Sequence, residues 1–115
     1  MRNDHILLRR SLLTSPAWKH ADFWRLWCWC LLNAAHKART TVLGGVPTPV
    51  AAGQLAATME EIRTGTGLEP EAILKSLAIG KNIGLLELRR SPWGLRIAIV
   101  SWQEHLEQHR SGSAF

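Results

Sequence analysis

Three arginines, Arg89, Arg90 and Arg96, stand on either side of Ser91-Pro92-Trp93-Gly94, a turn between two strand-like runs at 85–90 and 95–100. A planar guanidinium donates to anionic oxygens without needing a particular base beneath it, so arginines on a hairpin suit phosphates or a minor groove. Lys75 and Asn82 lie earlier, on the face of a helical stretch opposite Ile73 and Leu77 at about 100° per residue. The lysine can pair with phosphate or guanine and the asparagine can offer adenine a bidentate edge, whereas Glu71 on the same face repels phosphate. Leu74, Ala78 and Ile79 beside them, with Trp93 at the turn, form an apolar set that suits a protein partner instead. Other reactive residue types stand without the company that catalysis needs. His105 and His109 are four apart and could share a helix face, and Cys28 has Cys30 nearby, but neither pair has a third partner at metal-ligand spacing. No nucleophile has a base beside it and no glycine-rich phosphate loop occurs, so no catalytic residue, metal or cofactor is expected. The five histidines, scattered singly, read as surface residues.

The elements that must carry these side chains are legible from caps and periodicity. Thr58 caps a helix and Glu61 completes a capping box, while Gly67 supplies the positive φ that ends it. Pro70 suits the first turn of a second helix, with Glu69 and Glu71 near its positive end. Ile73, Leu77 and Ile83 fall roughly on one face, and Gly84 closes that helix. Two helices crossed at a tight glycine turn make a helix-turn-helix, and the hairpin after them makes it a winged helix. The expected fold class is therefore α+β, mostly α: a winged helix-turn-helix with a C-terminal β-hairpin wing.

The rest of the chain supports one domain over residues 1–109 with a flexible tail at 110–115. At 115 residues, with 46% hydrophobic and 20% charged residues, the chain is an ordinary globule long enough for a single core. A formal charge of +5 and a pI of about 10.0 favour polyanionic partners. Residues 4–14 read as a short strand or helix lying on the core, broken at Ser15-Pro16, and Asp22 reads as the cap of the next helix. That helix, expected over 23–37, is apolar around most of its circumference, so either the domain wraps it or a second copy does, making a homodimer possible. Its Cys28 and Cys30 point to nearly opposite sides, cannot bond to each other, and read as buried small hydrophobes in a reducing compartment. Residues 41–50 read as a hairpin turning at Gly44-Gly45, and Gly53-Gln54-Leu55 as the step into the helix-turn-helix. A helical turn or two is expected within 101–109. The longest apolar run is too short for the roughly 20 residues of a bilayer crossing, and no signal peptide is evident, so a cytoplasmic protein with no membrane partner is expected.

Taken in order, these pieces resemble the N-terminal winged-helix domain of phage replisome-organiser proteins and of the bacterial primosome component DnaD. The resemblance spans residues 5–109. Ile6-Leu7-Leu8-Arg9 is similar to that family's opening element, and Phe23-Trp24-Arg25-Leu26-Trp27 through Leu31-Leu32-Asn33-Ala34-Ala35-His36-Lys37 to its aromatic-rich first major helix. Gly53-Gln54-Leu55 matches the step before the helix-turn-helix, Thr66-Gly67-Leu68 its turn, and residues 97–100 with Ser101-Trp102 the last wing strand and the tryptophan after it. The chain departs from the pattern at Gly80, where the family has leucine, at Arg63, where it has a small residue, and at Gly65. Each glycine costs about 1 kcal/mol relative to alanine, which predicts short or bent helices. The family's replication proteins also tend to carry a second, C-terminal region, so helicase or loader recruitment is not carried over.

The resemblance implies a replication-initiation protein that binds duplex DNA. In that reading Lys75 and Asn82 enter the groove while Arg89, Arg90 and Arg96 hold the backbone. The alternative keeps the fold and changes the partner: Leu74, Ala78 and Ile79, with Trp93, dock on another copy, a replication protein or a host complex that a phage protein inhibits.

Overall fold

A computed structural model describes residues 6–106. In chain order the elements are α1 (Ala21–Asn33), β1 (Arg39–Leu43), β2 (Val46–Val50), β3 (Gln54–Ala57), α2 (Met59–Thr66), α3 (Pro70–Asn82), β4 (Leu86–Ser91) and β5 (Gly94–Ile99). Short 3₁₀ turns at Arg10–Thr14, Pro16–Lys19 and Trp102–His105 flank them. The class is α+β, with three α-helices and two small antiparallel sheets, β1-β2 and β3-β5-β4, among the described residues.

The local signals at α2 and α3 act as their chemistry requires. Thr58 Oγ1 accepts from the Glu61 amide at 3.0 Å, and the Glu61 carboxylate accepts from the Thr58 amide at 2.9 Å. Two of the orphan donors at the start of α2 are thereby satisfied. Gly67 then takes φ 78°, a left-handed conformation that L side chains resist, and its amide closes the helix on the Arg63 carbonyl at 2.8 Å. Pro70 opens α3, where a missing N–H leaves nothing unsatisfied. At the far end the Gly84 amide bonds to the Lys81 carbonyl and the Leu85 amide to that of Gly80, the paired bonds of a Schellman ending.

Several expectations need correction. Gln54–Ala57 does not turn the chain into α2 but forms β3, antiparallel to β5 with Leu55 opposite Ile97. This strand is short and alanine-rich, and its pairing edge is supplied by residues about forty positions later. Helix α1 starts at Ala21 and stops at Asn33, so Asp22 lies in its first turn rather than at its cap, where its charge still complements the helix dipole. Its continuation to Lys37 fails because the Ala35 amide bonds to the Gln54 carbonyl instead, tying the helix end to β3. Near the N-terminus Ile6 and Leu12 pack on the core, but Leu7, Leu8 and Leu13 are exposed. The expectations for His5, His109 and the tail 110–115 lie outside the described residues.

The apolar circumference of α1 is covered largely by its own chain. Phe23, Leu26, Trp27, Cys30 and Leu31 are buried, Trp24 and Trp29 half-buried, while Leu32 stands well clear. Trp18 meets Trp24 edge-on at 5.0 Å, and Phe23 stacks on Trp27 at 6.4 Å. The glycines that looked like weak helix formers are contact points for this helix. A Cβ on Gly80 would lie 2.6 Å from Phe23 Cε1 and 2.8 Å from Leu86 Cδ1, and one on Gly65 would enter the indole of Trp29. His105 is also corrected: it is buried, edge-on to Trp27 at 5.2 Å, with Nδ1 3.1 Å from the Leu7 carbonyl oxygen.

Of the two cysteines expected to be buried, Cys30 is buried and Cys28 only half-buried, since positions two apart on a helix face different surroundings. Burial pushes the Cys30 thiol up from 9.0 to about 12 and raises that of half-buried Cys28 as well. At about pH 8 a thiol reagent is expected to modify Cys28 slowly in the native protein and Cys30 only after unfolding. Equal native reactivity of both thiols would contradict the packing of α1. Because the raised value belongs to the folded state, the stabilisation from a protonated Cys30 is fully present below pH 9.0 and is lost as pH rises toward about 12.

Candidate nucleic-acid interface

Strand alternation decides which side chains the three-stranded sheet offers to solvent. On β5, Leu95, Ile97 and Ile99 are buried, which turns Arg96 and Ala98 to the opposite face. On β4, Leu86 faces the core, and Glu87 and Arg89 face outward with Arg96. The strands meet through a two-residue loop, Pro92-Trp93, with Ser91 opposite Gly94. That register sets Arg89 directly opposite Arg96. Like charges at such a position are destabilising, on the scale of about 0.2–1 kcal/mol for cross-strand pairs.

No carboxylate forms an ion pair with them among the described residues, although Glu87 shares their face of the sheet. The ion pairs there are Arg63 with Glu60 at 2.8 Å and Arg9 with Glu104 at 3.9 Å, and neither involves Arg89, Arg90 or Arg96. Arg63 is occupied within its own helix: its hydrogen bond and charge hold the Glu60 carboxyl below its ordinary value, and Glu60 in turn raises Arg63.

Two clefts meet at the arginine pair. One, of about 560 Å³, lies on the outer face of the sheet, where Arg89 and Arg96 are joined by Gln54, Glu87 and Lys81. The other, of about 300 Å³, lies between the β1-β2 hairpin and the β4-β5 hairpin, where Arg90 joins the pair opposite Pro47, Thr48 and Pro49. Arg89 and Arg96 thus line both clefts; Lys81 joins them on the outer face of the sheet, and Arg90, whose register partner is the buried Leu95, joins them only in the cleft between the hairpins. No family model, curated protein or solved structure matches this chain.

The other site residues expected from sequence stand apart from this cluster. Lys75 is exposed on α3 but belongs to a separate cleft of about 260 Å³, shared with Lys19, His20 and Asp22 at the start of α1. Asn82 is exposed in the last turn of α3, next to Lys81. Of the apolar set, Leu74 is 42% exposed and Ala78 is exposed, but Ile79 is half-buried against the core and lines the Lys75 cleft beside Phe23. Trp93, 50% exposed, sits at the β4-β5 turn and lines the cleft between the hairpins.

Lys81 is the clearest residue that the sequence reading missed, and helical arithmetic contained it. It lies three positions after Ala78, and so on the same exposed stripe. The involvement of Gln54, Thr48 and Lys19 had no comparable local signal, since each reaches its cleft through a separate segment of the chain. Among the described residues no group of three or more His, Cys, Asp or Glu could hold a metal ion, and no helix is long and apolar enough to cross a membrane.

Proposed function

We propose that this chain is a winged-helix domain of the replisome-organiser and DnaD kind, acting in the cytoplasm on duplex DNA, with the β4-β5 hairpin as its wing. The order α1, β3, α2, α3, β4, β5, with β5 central in the sheet, supports the fold assignment. The observation that carries the function is the pair Arg89 and Arg96, held opposite each other on a solvent face against their mutual repulsion, with no ion-pair partner among the described residues. Such an arrangement is relieved by an anion, and a phosphate backbone supplies anions at a spacing that several cations can follow. Lys81 extends the same surface and Arg90 borders it at the cleft between the hairpins, while Lys75 and Asn82 contact the duplex from α3. Phosphate contacts of this kind position the domain and give it little sequence preference.

Fluorescence anisotropy with a labelled random-sequence duplex tests this reading. Binding tighter than about 100 µM at low salt is expected, with a log-log salt slope of about −3.6 for four phosphate contacts. Weaker binding, or affinity that does not fall as salt rises, would reject it.

The exposed Leu74 and Ala78 favour a second reading, in which α3 docks on a protein, as a homodimer or on a replication or host complex. Leu74→Ser would then abolish association seen by light scattering and leave the fold intact; unchanged association would discard that reading.

A further inference from the structure

The cleft between the two hairpins has a composition that phosphate binding alone does not require. Trp93, Pro47 and Pro49 line it, and its charged members are Arg89, Arg90 and Arg96 with no carboxylate among them. The backbone that carries the tryptophan is held rather than loose. Its amide donates to Ser91 Oγ at 3.2 Å, the Ser91 hydroxyl donates to the Gly94 carbonyl at 3.2 Å, and the backbone behind it rests against the opposing hairpin. There a Cβ on Gly44 would stand 2.9 Å from the Trp93 carbonyl oxygen. The Thr48 hydroxyl is already given to the Val46 carbonyl at 2.9 Å, so it makes no competing claim on a ligand. A half-exposed indole carried on a hydrogen-bonded turn and bordered by guanidinium groups is a stacking platform beside phosphate donors. The volume of about 300 Å³ is at the small end of ligand clefts, suited to a single base and its sugar rather than to a base pair.

We propose that this cleft takes one unpaired nucleotide of a nucleic-acid strand, its base on Trp93 and its flanking phosphates on Arg89, Arg90 and Arg96. The proposal rests on the reading of the surface as a nucleic-acid interface. It adds that the substrate class is a duplex with an unpaired end or fork, in which the paired part lies on α3 and the sheet face while the free strand enters between the hairpins. The β1-β2 hairpin then has a task in recognition, since it forms one wall of the cleft and fixes the angle of the other.

The test is anisotropy of the full chain on three labelled DNAs: a blunt duplex, the same duplex with a short single-stranded fork, and the single strand alone. The fork is expected to bind about tenfold tighter than the blunt duplex, from one base stacked on an aromatic ring. Trp93→Ala should remove that preference and leave blunt-duplex affinity unchanged, whereas Trp93→Phe should keep most of it. Equal affinity of the wild-type protein for fork and blunt duplex would overturn the proposal, as would an equal loss on both DNAs in Trp93→Ala with an unaltered melting temperature. The arms separate this failure from that of the broader reading: blunt duplex bound without preference sinks only the nucleotide site, and binding of single strand with no duplex binding sinks the duplex reading together with the fork substrate that rests on it. A millimolar deoxynucleoside monophosphate competitor separates the sources of the ligand. Its failure to displace the fork supports a strand over a free nucleotide, and full displacement would overturn the strand assignment.

Discussion

Gly80→Ala is expected to destabilise the fold by about 2 kcal/mol, although alanine is the better helix former by about 1 kcal/mol. The sign comes from the surroundings of the position. An added methyl would stand 2.6 Å from Phe23 Cε1 and 2.8 Å from Leu86 Cδ1, both far inside van der Waals contact. Neither neighbour can retreat cheaply, since Phe23 is 0% and Leu86 2% exposed. The phenyl group is stacked on Trp27, and Leu86 starts the strand that carries two of the arginines. Overpacking of this sort costs about 1–3 kcal/mol or more and outweighs the gain in helix propensity. Thermal unfolding is the direct measurement: a loss of about 2 kcal/mol lowers Tm by roughly 8 °C in a domain of this size. An unchanged or raised Tm would mean that α1 and α3 do not approach this closely.

Replacing Arg89 and Arg96 by threonine is expected to separate stability from binding. Threonine favours an exposed strand, and its introduction removes two like charges set opposite each other, so the double variant should melt at the same temperature as the parent or slightly above it. On the proposed duplex reading each arginine lost should weaken binding about tenfold and reduce the salt slope by about 1. The two effects point in opposite directions, and a general loss of structure cannot imitate that pattern. If the double variant bound duplex as tightly as the parent, the arginine pair would not be the working surface. If it melted well below the parent, the pair would be structural.

The features of this protein that could be read along the chain share one physical property: their energetics are settled within a few residues. The capping box of Thr58 and Glu61, the left-handed Gly67, Pro70 at the head of α3 and the paired glycines 44 and 45 are each decided by backbone sterics and short hydrogen bonds. The alternation along β5 belongs with them, since a strand buried on one face must turn Arg96 to the other whatever lies beneath. Even the opposition of Arg89 to Arg96 is contained in the two-residue loop between the strands, which fixes the register by counting outward from Ser91 and Gly94.

Tertiary packing decided what no local pattern encodes, because it depends on which surfaces distant segments cover. Residues 54–57 became a strand only because β5 had an edge open to them, and α1 stopped at Asn33 because the amide of Ala35 was taken by that strand. Gly80 and Gly65 look like flaws in their helices until Phe23, Leu86 and Trp29 are seen to occupy the space their side chains would need. His105, one histidine among five in the sequence, became a core residue because the N-terminal segment and Trp27 close over it. Sequence thus determined the units and the direction in which their side chains point. Only the packing of those units joined Lys81 to the arginines and set Trp93 against a second hairpin, since both require segments far apart in the chain to share one surface.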